Sequence, residues 1–130
     1  MTVYQHSLYT FELLKESKVL LFIWSEKTEN MTNEDYEEAL HNFAGFGAEY
    51  KVPYMLVDIR NFKHKMTPQL GIWRDKYISP RYVKFGLKKF GYIVPKGVVD
   101  KMKDTMTKVE RGFEEKYFES ESEAMNWFEQ

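Results

Sequence analysis

The sequence of 130 residues contains no cysteine and no long apolar run. The absence of cysteine excludes disulfide bonds, thiol catalysis and cysteine-ligated zinc. The longest apolar run, residues 19–24, has the length of a strand, whereas a membrane-spanning helix needs about 20 apolar residues. The N-terminus has neither the basic start nor the apolar core of a signal peptide. We therefore expect a cytoplasmic protein with no membrane span, folded as one domain over residues 1–130.

Motifs that carry chemistry are missing as well. The sequence has no glycine-rich phosphate loop, nucleophile elbow or zinc-protease motif, and it has only three histidines. Asp58 and His64 are the one pair that could act in catalysis. Asp58 is better explained as a structural acceptor for backbone N–H groups of the following loop or helix, because a carboxylate in a buried strand needs such partners. We expect no enzyme, no metal site and no cofactor.

Charge is strongly segregated although the net charge is only −1. Residues 60–103 carry 12 basic against 2 acidic side chains, whereas residues 1–59 carry 4 against 10 and residues 104–130 carry 3 against 8. Such a basic middle could attract an anionic partner, or it could be neutralised within the fold or across a homodimer. Nucleic acid is not expected as a partner, because the chain is not basic as a whole and has no nucleic-acid motif.

Two apolar runs open the chain and predict a β-hairpin. They occupy residues 8–14 and 19–24 and are separated by four polar residues, a connection short enough to join antiparallel strands. Thr32 and Asp35 then form the pattern of a capping box, and apolar residues recur behind them at helical spacing. A helix is therefore predicted directly after Thr32.

Strands and helices alternate in the remainder of the chain. Short apolar runs predict strands at residues 54–59, 88–94 and 113–119. The first of these is apolar on both faces and should be central in the sheet, and the last should lie at an edge. The order β-β-α-β-α-β-α-β-α predicts an α/β fold, with a mixed sheet opened by a β-hairpin, parallel strands after it and helices packed on the sheet.

Three further helices are predicted from caps and apolar spacing. The first follows a Thr67 cap and is kinked at Pro80 or restarts there under a Ser79 cap. The second closes near Gly112, and its apolar stripe comprises Val99, Met102, Met106 and Val109. The last begins at Ser120, which forms a capping box with the glutamate three positions later.

The candidate site lies where the central strand ends. A basic loop follows that strand and leads into a helix that begins at Pro68, and another basic residue follows the neighbouring strand. Ligands of parallel sheets collect at the carboxyl ends of the strands, and helix N-termini favour anions. We predict a surface that binds an anion or a protein partner, formed by Arg60, Lys63, His64, Lys65, Thr67 and Lys96.

The order of elements and residues 56–71 resemble the STAS superfamily, in particular its stand-alone bacterial SpoIIAA-like domains. The segments 79–81, 87–89 and 94–96 support the likeness, which extends from about Leu8 to Phe128. The resemblance implies a mixed sheet that begins with a hairpin and is flanked by helices. It also implies a regulatory role through binding of a protein partner, as in the anti-sigma-factor antagonists of this superfamily.

In those antagonists a strand ending in Asp leads into an Asp-Ser-Ser-Gly box, whose serine a partner kinase phosphorylates. Counted from Asp58, the box falls on residues 66–69, where Thr67 replaces the first serine and Pro68 replaces the phosphoacceptor. The resemblance thus implies a non-enzymatic regulatory or protein-interaction module without the phosphoacceptor serine. A looser likeness to CRAL-TRIO lipid-transfer proteins implies an alternative, a carrier of a lipid or another apolar small molecule. Its pocket would be lined by Tyr77, Tyr82, Phe85 and Phe90.

Overall fold

A computed structural model describes residues 1–101 and 108–130 of the chain. Within these residues, six strands form one sheet in which the spatial order of the strands equals their order along the chain. The first three strands pair antiparallel, and the third to the sixth pair parallel. The strands are β1 (Thr2–Gln5), β2 (Tyr9–Leu14), β3 (Val19–Trp24), β4 (Tyr54–Asp58), β5 (Lys89–Ile93) and β6 (Glu114–Phe118).

Helices follow each of the last four strands. They are α1 (Asn33–Tyr50), α2 (Pro68–Tyr77), α3 (Ser79–Phe85), α4 (Val98–Lys101) and α5 (Glu121–Phe128), and a short 3-10 helix (Glu26–Asn30) precedes α1. The predicted capping box of α1 is confirmed. The Thr32 side chain accepts a hydrogen bond from the backbone N–H of Asp35, whose carboxylate in turn accepts from the backbone N–H of Thr32. No helix in the described part of the chain is long and apolar enough to cross a membrane.

The predicted mixed sheet is confirmed, including its hairpin β2–β3, its central strand β4 and its edge strand β6. The sequence prediction missed β1, which pairs with β2 at the other edge. Residues Thr2–Gln5 have only partly buried or exposed side chains, so their pattern of apolar residues is weak. Pairing with the hairpin, rather than local pattern, makes this segment a strand.

Two predicted helix boundaries need correction. Ser79 is the first residue of α3 and not its cap, because Ile78 occupies the cap position. Among the residues predicted to form the third helix, Val99 lies in α4, Met102 and Met106 lie outside the described residues, and Val109 lies outside any helix with 66% of its surface exposed.

At the start of α5 only half of the predicted capping box forms. The backbone N–H of Glu123 donates to the Ser120 hydroxyl at 3.2 Å. The Glu123 carboxylate accepts from the Ser120 hydroxyl at 3.1 Å, and in the α5 cap it does not bond the Ser120 backbone N–H. Ser120 therefore caps the helix without the reciprocal bond of a full box.

The two faces of the sheet carry separate apolar cores. We call the side covered by α1, α2 and α3 the α1 face, and the side covered by α5 the α5 face. Alternation along β4 supplies both, since Met55 and Val57 belong to the core of the α1 face and Leu56 to that of the α5 face. Trp127 and Phe128 of α5 complete the second core.

Candidate functional site

The loop that follows β4 begins with an ion pair. The Arg60 guanidinium donates through its Nη2 to Asp58 Oδ2 at 2.7 Å and through its Nε to Asp58 Oδ1 at 3.0 Å. The backbone N–H of Arg60 also donates to Asp58 Oδ1. The hydrogen bond that the Arg60 guanidinium donates to Asp58 raises the pKa of Arg60. Asp58 and Arg60 thus neutralise each other locally.

The remaining residues of the predicted surface divide into bonded and exposed ones. His64 Nε2 lies 2.8 Å from the Asn33 side-chain oxygen at the start of α1. Thr67 Oγ1 accepts from the backbone N–H of Leu70 at 3.3 Å, so it caps α2. The side chains of this surface that remain exposed without an ion pair among the described residues are those of Lys63, Lys65 and Lys96. Its use by a partner stays a prediction.

A cavity of about 370 Å³ lies on the α1 face, at the carboxyl ends of the parallel strands. Trp24, Val57, Tyr92 and Tyr117 reach it from the last or penultimate positions of β3, β4, β5 and β6. Helices α1, α2 and α3 form the opposite wall. Its position beyond the strand ends is where sheets with parallel strands bind ligands.

Nine aromatic rings of the described residues line the cavity. They are Trp24, Tyr36, Phe43, Phe62, Tyr82, Phe90, Tyr92, Phe113 and Tyr117. The Phe62 ring packs against Trp24, with centroids 4.9 Å apart. Phe62 belongs to the basic loop, yet its ring is half-buried and contributes to the cavity while its neighbour Lys63 is exposed.

Charged side chains close one end of the cavity. Arg111 donates from Nε to Asp75 Oδ1 at 2.7 Å and from Nη1 to Glu115 Oε2 at 2.8 Å, so it links α2 to β6. The Tyr92 hydroxyl donates to Glu115 Oε1 at 3.4 Å. Arg74 also lines the cavity, and its Nε contacts Asp75 Oδ1 at 3.3 Å.

Electrostatics fix the protonation states of these groups. Burial raises the pKa of four tyrosine hydroxyls that line the cavity, those of Tyr36, Tyr82, Tyr92 and Tyr117. They therefore remain hydrogen-bond donors at neutral pH. Burial would raise the pKa of Asp75, but the hydrogen bond from Arg111 and the charge of Arg74 outweigh burial and lower it. Asp75 is thus a carboxylate at neutral pH.

Sequence reasoning found only part of this cavity. Of the pocket residues predicted for an apolar carrier, Tyr82 and Phe90 line it. Tyr77 is 49% exposed, and neither Tyr77 nor Phe85 is among the residues that line it. Arg74 was missed, although its position four residues after the buried Leu70 places it on the inner side of α2, where a charge is unusual.

The family model described as SpoIIAA-like matches residues 22–129, and the chain belongs to this family of STAS-like domains. The matched range runs from β3 to the end of α5, and it includes every residue that lines the cavity. The resemblance inferred from the sequence is therefore confirmed. No curated protein and no solved structure matches the chain.

Proposed function

We propose that this protein is a non-enzymatic regulatory module that binds an apolar small molecule in the cavity of the α1 face. The cavity of about 370 Å³ supports this proposal. Protein interiors are close-packed, and cavities of roughly 300–1,000 Å³ with aromatic walls and a few polar groups are typical of small-molecule sites. A ligand that fills this space would restore the packing that the three helices leave incomplete.

Regulation through a protein partner is the second part of the proposal, and membership of the SpoIIAA-like family supports it. Phe62 connects the two parts, because its ring lines the cavity while the adjacent Lys63 is exposed in the basic loop. A ligand in contact with Phe62 would fix the conformation of this loop. We propose that a protein partner binds the loop through the exposed Lys63 and Lys65. It would also contact Lys96, which follows the neighbouring strand.

A phosphorylation switch is not part of this proposal. The resemblance to the antagonists of the superfamily implies that Pro68 takes the place of their phosphoacceptor serine. The neighbouring Thr67 hydroxyl is explained by its cap bond to Leu70. Catalysis is not part of it either, since Asp58 pairs with Arg60 and His64 with Asn33, and no hydrogen bond between Asp58 and His64 occurs in the described part of the chain. In this proposal the conformation of the basic loop is controlled by whether a ligand occupies the cavity.

Binding of N-phenyl-1-naphthylamine, an uncharged apolar dye that fluoresces when buried, tests the cavity. We expect the wild-type protein to bind it and Val57→Phe to weaken binding about tenfold or more, because the added ring occupies space that the dye needs. Ile72→Phe is the matched control, since Ile72 is on α2 with 66% of its surface exposed. Equal binding by both variants, each with an unchanged melting temperature, would contradict the proposal.

Native mass spectrometry of protein purified from cells adds an independent measurement. A retained small molecule that is lost in Val57→Phe supports the cavity as its site. A second copy of the chain or a foreign chain, with no small molecule, would favour a homodimer or a constitutive protein complex over ligand control.

A further inference from the structure

The two arginines of the cavity differ in how their charges are used. Arg111 has two carboxylate partners, Asp75 at 2.7 Å and Glu115 at 2.8 Å. Among the described residues Arg74 pairs with one carboxylate, that of Asp75, through its Nε at 3.3 Å, and Asp75 is already the closer partner of Arg111. Arg74 also donates a hydrogen bond to the Tyr36 hydroxyl, which is uncharged and does not neutralise the guanidinium. Asp75 is also half-exposed to solvent, which screens its charge. Of the cations described at the cavity, Arg74 is therefore the one whose charge remains available to a ligand.

The other polar groups of the cavity are mostly donors that lack acceptors. Within residues 1–101 and 108–130, the hydroxyls of Ser79, Tyr82 and Tyr117 form no hydrogen bond with the protein, although all three residues line the cavity. Every fully buried side-chain nitrogen or oxygen atom in the described residues has a hydrogen-bond partner. These three hydroxyls have none, so each of them is accessible from the cavity or from solvent. Glu115 is the carboxylate among the described lining residues, and it already accepts from Arg111 and Tyr92. A ligand that complements the polar end of the cavity must therefore supply a hydrogen-bond acceptor and not a donor.

We infer that the ligand is an apolar monocarboxylic acid, whose carboxylate pairs with Arg74 and whose apolar body lies against the aromatic wall. This inference rests on the proposed function of the cavity. A carboxylate matches the planar guanidinium, which binds it through two nitrogens, and tyrosine hydroxyls such as that of Tyr82 can donate to the same oxygens. One available cation favours one negative charge, whereas a phosphate dianion would leave a charge uncompensated in an apolar site.

Displacement of N-phenyl-1-naphthylamine by dodecanoate and by dodecanol tests the inference, because the two molecules share a chain and differ in the charged group. We expect dodecanoate to bind the wild-type protein about tenfold or more tightly than dodecanol, as a charge-assisted hydrogen bond would provide. Arg74→Met should remove this preference and leave the affinity for dodecanol unchanged. Lys76→Met is the matched control, since it removes an exposed cation from the same helix and should change neither affinity.

The outcomes separate this inference from the proposed function. The inferred carboxylate group would be wrong if dodecanol bound as tightly as dodecanoate, or if Arg74→Met weakened both equally. Either result would leave the proposed apolar site in the cavity intact. Failure of the dye and of both chains to bind would overturn both. If Arg74→Met does not fold, Tyr82→Phe replaces it, because it removes one donor hydroxyl at nearly constant shape. It should weaken dodecanoate severalfold and leave dodecanol unchanged, and an equal effect on both would count against the inference.

Discussion

On the α5 face of the sheet the side chains pack closely around Gly91, whereas on the α1 face they enclose a cavity of about 370 Å³. A Cβ atom added at Gly91 would lie 3.1 Å from Leu56 Cδ1 and 3.4 Å from the tip of the Phe128 ring, both on the α5 face. Val57, next to Leu56 in the same strand, points to the other face and lines the cavity. Strand alternation supplies apolar side chains to both faces. The helices decide which face is filled.

Substitutions that enlarge a side chain on each face of the sheet should give the largest difference in the free energy of unfolding. We expect Gly91→Val to lower the free energy of unfolding by about 1–3 kcal/mol, because the new side chain overpacks the α5 face. Val57→Phe adds four carbon atoms, one more than Gly91→Val, yet it should change that free energy by less than about 1 kcal/mol, since the ring enters the cavity. Urea unfolding of both variants measures the contrast. Equal destabilisation by the two changes would show that the α1 face has no usable space.

Removal of the N-terminal caps of α2 and α5 should lower the free energy of unfolding by a smaller amount, which should be similar for the two faces. Thr67→Ala removes the bond to the Leu70 N–H at the start of α2, and Ser120→Ala removes the bond to the Glu123 N–H at the start of α5. Each should cost about 1 kcal/mol of unfolding free energy. Denaturant unfolding with circular dichroism measures both losses. A much smaller loss for Thr67→Ala than for Ser120→Ala would mean that α2 leaves the α1 face before the protein unfolds as a whole.

The basic loop at the edge of the α1 face should contribute least to stability. Replacing Arg60, Lys63 and Lys65 together by Ser should change the free energy of unfolding by less than about 1 kcal/mol, because all three side chains are exposed and Asp58 keeps the backbone N–H of residue 60 as a donor. The matched control replaces three other exposed lysines, Lys15, Lys84 and Lys88. In capture experiments from lysate, partners should be lost with the loop variant alone. A large loss of stability with unchanged partners would show that these charges serve the fold.

The cavity and the basic loop also differ in how far the sequence could predict them. The loop was found because its basic residues are adjacent in the chain and follow a recognisable buried strand. Phe62 of the same loop could not be placed from the sequence, because its ring packs on Trp24, a residue that precedes it by a whole helix. The charged end of the cavity joins Arg74, Asp75, Arg111 and Glu115, and nothing local in the sequence pairs residues on α2 with residues at β6.

Elements whose signals are local could be predicted from the sequence alone. The hairpin, the capping box at Thr32, the Thr67 cap and the buried strand β4 all follow from neighbouring residues. Tertiary structure alone decided that β1 joins the sheet and that a cavity remains under these helices. The break between α2 and α3 was predicted from Pro80, and only its cap residue, Ile78, was not. Such features depend on how separate elements fit together, and packing of distant side chains has no pattern along a single stretch of chain.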